Sequence, residues 1–174
     1  PLSSMLSWLD SNRSRSFGAL LIDMYPKDAI SDVTYSAGDD PHLTAPYFDP
    51  QNYQSRIEPF YFNLWVQGGV RQRVFFRDRP HFAPALNKIP LVKWGQDLVF
   101  RSSTHQMSPR SLNVTYSQSN VPRTCGCLLH YKFLDTLLDK APEELKRKQH
   151  FAAGREYRAY TKQMHSSFWT PHSQ

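Results

Sequence analysis

Three kinds of side chain in this sequence can do more than pack. They are a histidine that closes an apolar stretch, a carboxylate inside another, and a segment dense in arginine and lysine. His130 ends the run Cys127-Leu-Leu-His130, and Phe133, Leu134, Leu137 and Leu138 follow at helical spacing. The pattern predicts a strand-to-helix junction at His130, with Leu128 and Leu129 buried behind it. Ligands of open α/β sheets bind at such strand ends, and imidazole is the side chain that most readily exchanges a proton or takes a metal near neutral pH. The plainer account of His130 is a structural histidine hydrogen-bonded at an element boundary.

Asp23 is the one charged residue within Phe17–Tyr25, an otherwise apolar run stopped by Pro26. Burying an unpaired carboxylate costs several kcal/mol, so Asp23 must meet a partner or open onto a site. The net charge is +6. Between Val70 and Arg101, seven bases (Arg71, Arg73, Arg77, Arg79, Lys88, Lys93, Arg101) face only Asp78 and Asp97, so most of the excess lies there. An anionic partner suits that segment, as does a solvated basic face with no partner. A strand over Val70–Phe76 would put Arg71 and Arg73 on one face, where guanidinium groups grip carboxylate or phosphate in bidentate fashion. Lys93 and His105 close two further strand-like stretches, although a lysine at a sheet edge often serves only solubility.

Cys125 and Cys127, the only cysteines, are too close in sequence for an ordinary disulfide and fall short of a four-ligand zinc set. A reducing compartment fits them, and Cys125-x-Cys127-x-x-His130 is at most half of a metal site. No apolar run nears the roughly 20 residues that span a bilayer, and no secretory leader is recognisable. The chain starts without methionine, which suggests a piece of a longer protein. Two glycosylation-type patterns, Asn12-Arg-Ser14 and Asn113-Val-Thr115, carry little weight without a leader.

The elements that must position these groups can be read in order. At 174 residues, 40% hydrophobic and 14% aromatic, the chain suffices for one domain with a core. Leu2, Met5, Leu6 and Leu9 mark an amphipathic helix that should pack on a sheet. Phe17–Tyr25 is predicted as a central strand covered on both faces. Residues 26–57 form a long surface excursion pinned by Tyr35, Tyr47, Phe48 and Tyr53. Pro59–Val66 is strand-like, and Gly68-Gly69 calls for a tight turn. Ile89–Trp94 and Leu98–His105 are two strands joined through Gly95-Gln-Asp97. One helix runs to about Lys140, a second starts near Pro142 and carries Glu143, Glu144, Lys146, Arg147 and Lys148, and a third presents Ala153, Tyr157, Tyr160 and Met164. Residues 1–165 form the domain, with a frayed tail from Ser166 to Gln174.

Dinucleotide, P-loop, zincin and hydrolase-elbow motifs are all absent from the sequence. Composition and spacing alone stop at an α/β anion-binding domain. Five blocks, in order, go further: Gly68-Gly-Val-Arg-Gln-Arg-Val-Phe75, Lys88-Ile-Pro-Leu-Val-Lys-Trp94, Ser102-Ser-Thr-His105, Leu128-Leu-His-Tyr-Lys-Phe133 and Glu156-Tyr-Arg-Ala-Tyr160. Together they resemble the C-terminal half of bacterial glycosyltransferase family 2 proteins, over roughly Phe17 to Met164.

That resemblance implies an α/β fold, here an incomplete GT-A-like (Rossmann-like) mixed sheet with C-terminal helices. It implies inverting, metal-dependent transfer of a sugar from a nucleotide-sugar donor to a saccharide or lipid-linked acceptor, in polysaccharide biosynthesis. The metal would be Mn²⁺ or Mg²⁺, with His130 as its late histidine ligand and His105 as the second choice. Asp23 is the candidate general base, with Asp49 or Glu58 as substitutes. Arg71, Arg73, Lys93 and Trp94 would contact donor or acceptor. No Asp-x-Asp precedes Phe17, and Asp39-Asp40 sits in a turn, so the resemblance implies little or no transfer by this chain alone. The implied location is cytoplasmic, or peripheral at the inner membrane. The other class of reading is a non-enzymatic module that takes nucleic acid or another polyanion through its bases and Trp65, Phe75, Phe76 and Trp94.

Overall fold

The computed structural model describes residues 2–117, 123–147 and 151–174, without the side chains of 151–153. The architecture is mixed α/β. The chain divides into two compact units. Unit 1 comprises Pro1–Leu21, Ser55–Val66 and Ala85–Leu128, and unit 2 comprises Ile22–Gln54, Gln67–Pro84 and Leu129–Gln174.

Helix α1 (Leu2–Ser11) forms where the i, i+3, i+4, i+7 spacing predicts it, but Leu9 is its only buried residue. Its apolar face is thus mostly open instead of packed on a sheet. Strand β1 (Ser16–Asp23) follows and is largely buried, as its unbroken apolar run demands. The excursion after it contains one short helix, α2 (Pro41–Thr44), capped by the Asp40 side chain, which accepts from His42 N at 2.9 Å. A bridge from Tyr25 to Tyr47 ties this segment down. Strands β2 (Tyr53–Ile57) and β3 (Leu64–Gly68) pair with each other. The turn expected at Gly68-Gly69 is present: both have positive φ (144° and 58°), and a Cβ on Gly68 would lie 2.3 Å from Asn52 O.

Strand β4 (Asn87–Val92) pairs antiparallel with β1, not with the segment that follows it. The expected second strand, Leu98–His105, shrinks to β5 (Val99–Phe100), which pairs with β6 (Met107–Ser108). Ser103 has positive φ and breaks the extended run before His105. Strand β7 (Cys125–His130) completes a sheet of order β4-β1-β7. Unit 1 has a small core of Ile89, Leu98, Met107 and Leu112. Asn113, which stands in a glycosylation-type pattern, is buried: its carboxamide accepts from Met107 N at 2.7 Å and donates to Met107 O and Tyr61 O at 2.9 Å.

Helices α3 (Thr136–Arg147) and α4 (Phe151–Tyr160) pack together. The break expected before Pro142 does not occur, because α3 runs straight through it. Leu137 and Ala141 lie in the unit 2 core with Leu138 and Leu145 against them, and their burial outweighs the hydrogen bond that proline removes. Lys148 and the side chain of Ala153 lie outside the described residues. The last nine residues do not fray: Phe168 sits in the same core, and Gln174 exchanges backbone hydrogen bonds with Phe48 at 2.7 and 3.1 Å.

Candidate functional site

Strand β1 delivers Asp23 at its last position, and β7 delivers His130 at its last position. Within unit 2, Met24 N donates to His130 O at 3.0 Å, which fixes the two strand ends side by side. The third member, Arg71, comes from a turn and not a strand. The alternation that predicts a strand over Val70–Phe76 gives way to a π-helical turn over Arg71–Phe75. Alternation over so few residues fits either state, and the paired glycines redirect the chain just before it. Val70, Val74 and Phe75 then pack into the core of unit 2, and the two arginines part company.

Arg71 Nη2 donates to Asp23 Oδ1 at 2.7 Å, and His130 Nδ1 lies 2.7 Å from that same oxygen. Arg71 Nη2 and His130 Nδ1 are 3.1 Å apart. Were Nδ1 unprotonated, its lone pair would face a carboxylate oxygen at 2.7 Å, so the favoured tautomer carries the proton on Nδ1 and donates it to Asp23. That leaves Nε2 with the lone pair. Burial alone would raise the Asp23 carboxyl, but the Arg71 charge and the hydrogen bonds from His130 and Arg71 outweigh it, so the group sits below its ordinary value and is ionised. Asp23 and Arg71 are buried, whereas the His130 side chain is 35% exposed. The geometry therefore presents a buried ion pair behind an imidazole that reaches solvent. Arg71 Nε is buried without a hydrogen-bond partner among the described residues.

Beside this triad stands a second group that the sequence reading did not pick as site residues. Lys132 Nζ donates to Glu156 Oε1 at 3.4 Å and lies 4.6 Å from the ring centroids of both Tyr157 and Tyr160. Tyr160, fully buried, donates to Glu156 Oε2 at 3.3 Å. Loss of water pushes the Lys132 ammonium down to about 8, with the Arg71 charge adding to the effect and Glu156 opposing it. Burial pushes the Tyr160 hydroxyl well up. The signals that could have found these residues were spacings: His130 and Lys132 are two apart, and Glu156 and Tyr160 are one helical turn apart.

Arg73 makes a separate anchor. Its Nε and Nη2 each donate to an Asp49 oxygen at 2.8 Å, and Nη2 also donates to Phe168 O at 2.7 Å. Tyr25 OH donates to Asp49 as well and meets Ser173 Oγ at 2.8 Å. Asp49 is thus held by an arginine and a tyrosine in a structural knot. Glu58 accepts from the backbone N–H groups of Phe60 and Tyr61 and shapes a turn.

Lys93, Trp94 and His105 belong to unit 1. Lys93 is exposed and pairs with Asp10, and Trp94 stacks on Phe100 with centroids 6.2 Å apart. His105 Nδ1 donates to Asn87 O at 2.7 Å, while Nε2 lies 3.2 Å from the Lys88 ammonium. Both ring nitrogens of His105 are engaged, and the one that could take a metal faces a cation.

The cysteine half-site does not assemble. Along β7 the side chains of Cys125, Cys127 and Leu129 are exposed while Gly126, Leu128 and His130 are partly buried, so the thiols and the imidazole lie on opposite faces. The same alternation exposes Leu129, which the sequence reading buries. Among the described residues no group of three or more His, Cys, Asp or Glu side chains is placed to hold a metal ion, and no helix is long and apolar enough to cross a membrane. Comparison of the chain with protein-family models, with curated proteins and with solved structures gives no match.

Proposed function

We propose that this chain is part of a metal-dependent glycosyltransferase of family 2 type and that unit 2 carries its proton-accepting group. The observation that carries the reading is the Asp23–His130–Arg71 contact. An ionised carboxylate holds Nδ1–H, and the basic Nε2 is left at the open end of the cluster. In the transfer step, His130 Nε2 takes the proton of an acceptor hydroxyl while the acceptor oxygen bonds to the anomeric carbon. The bond from that carbon to the donor diphosphate breaks, and its electron pair leaves with the nucleoside diphosphate. Asp23 then acts behind the histidine, since a buried carboxylate held ionised by Arg71 is a weak base. Lys132 supplies positive charge for the departing diphosphate, while Arg71 keeps Asp23 ionised.

The metal implied by the resemblance finds a poor donor set among the described residues. Asp23 Oδ1 is occupied by Arg71 and by His130 Nδ1, so His130 Nε2 is the donor left for Mn²⁺ or Mg²⁺ and no carboxylate pair stands beside it.

Titration of the chain with a nucleoside diphosphate, with and without Mn²⁺, tests the reading. Binding that falls roughly tenfold or more in Lys132→Gln is expected, as for loss of a charged hydrogen-bond donor. Absence of nucleoside diphosphate binding, together with binding of a single-stranded oligonucleotide that weakens steeply with salt, would replace the transferase by a nucleic-acid module.

A further inference from the structure

Unit 1 holds eight of the bases and three of the acids in the sequence, which places five of the six net positive charges there. It also holds nine of the twelve large hydrophobic side chains left exposed among the described residues. Several of these share one continuous stretch of surface. Lys93 Nζ bonds Asp10 at the end of α1, Lys93 N donates to Arg15 O at 2.8 Å, Arg15 pairs with Asp97 at 3.2 Å, and Trp94 stacks on Phe100. A groove of about 370 Å³ runs through this stretch, floored by Leu6, Leu9, Leu91 and Val92 and rimmed by Arg15 and Lys93.

We propose that this face of unit 1 docks on an anionic lipid bilayer. Helix α1 exposes Leu2 and Leu6, one turn apart, along the edge where Leu6 enters the groove beside the buried Leu9. Aliphatic side chains along an exposed helix edge enter the boundary between headgroups and acyl chains. Trp94, 65% exposed, has the amphipathic ring that settles at headgroup depth. Arg15 and Lys93 border the same surface, where each base adjacent to an anionic membrane adds about 1 kcal/mol of attraction. The Arg15–Asp97 and Lys93–Asp10 pairs are solvent-exposed and hold their bases weakly, so those cations can turn to lipid phosphates. Nucleic acid is disfavoured because the aliphatic Leu2, Leu6 and Val99 give nothing to base stacking. This inference stands on unit 1 alone and is independent of the reading of Asp23 and His130.

The test is flotation of the whole chain with vesicles of phosphatidylcholine containing phosphatidylglycerol, against phosphatidylcholine alone. Binding to the anionic vesicles only, with a blue-shifted tryptophan emission and reversal by salt, is expected. Arg15→Gln should lower partitioning about fivefold, and Leu2→Ser with Leu6→Ser should abolish it while nucleoside diphosphate binding stays unchanged. Equal partitioning into neutral vesicles overturns the proposal, as does binding that survives Leu2→Ser with Leu6→Ser. Tighter binding of a single-stranded oligonucleotide than of anionic vesicles reassigns the surface to nucleic acid. Self-association that buries Trp94 in the absence of lipid makes it a protein interface instead.

Discussion

Unit 2 buries charges and unit 1 buries amides. In unit 2, Asp23 and Arg71 meet with side chains only 3% and 6% exposed, and Asp49–Arg73 and Lys132–Glu156 are largely out of solvent as well. In unit 1 the ion pairs are peripheral, with Lys93 and Asp10 at 64% and 61%, while the buried polar groups are Asn63 and Asn113. A neutral amide satisfied by backbone partners fixes a loop and does little else. A buried ion pair adds little net stability, and its worth lies in what it holds in place. Unit 2 sets one such pair, Asp23–Arg71, directly behind a partly exposed imidazole, which is why the candidate chemistry is assigned there despite the larger positive charge of unit 1.

The contrast is sharpest for Arg71→Met, which leaves the Asp23 carboxylate buried and uncompensated. A loss of about 3–5 kcal/mol in urea unfolding is expected, and most of it should return in Asp23→Leu with Arg71→Met, where an apolar pair replaces the ionic one. A single-variant loss below about 1 kcal/mol would show that the pair is open to water. The counterpart in unit 1 is Asn113→Ala. It strands the Met107 N–H and should cost about 1–3 kcal/mol, less than the arginine because no charge is left unpaired.

Lys132 gives a signed pH dependence. Its folded value near 8 lies below the ordinary lysine value of 10.5, so the unfolded chain holds more protons between the two. Stability from this group therefore rises with pH above about 8, by at most about 1.4 kcal/mol per pH unit. Tyr157 and Tyr160 are raised and act in the opposite direction once unfolded tyrosine ionises near pH 10, so the clean window is pH 8 to 10. Urea midpoints of the wild type should climb relative to Lys132→Met across that window, and parallel curves would place the ammonium in water. The smallest effect is expected for Asp10→Asn, within about 1 kcal/mol, because its lysine partner is already solvated.

Much of this was legible in the residues. The spacing of Leu2, Met5, Leu6 and Leu9 marks α1, though not its open apolar face, and the apolar run marks β1. The demand that Asp23 find a partner and the placing of His130 at a strand end both came from local sequence, and the structure joins them through one carboxylate oxygen. What stayed hidden was non-local. Alternation over Val70–Phe76 puts Arg71 and Arg73 on one strand face, whereas a π turn sends them to different carboxylates. Lys132 and Glu156 lie 24 residues apart and no periodicity links them. The tail read as frayed because its composition is polar, yet Phe168 alone finds Tyr25, Phe75 and Phe133 and holds the end in place.

The alternating faces of β7 make its chemistry a matter of parity. Odd positions carry Cys125, Cys127 and Leu129 outward, and even positions carry Gly126, Leu128 and His130 to the other face, where His130 meets Asp23. Inserting or deleting one residue in this stretch would bring a leucine or a tyrosine to the carboxylate. Changes of length there are tolerable in twos only. In a lineage of such chains, the distance from the glycine of Cys-Gly-Cys to the histidine should stay even while the residues between them drift.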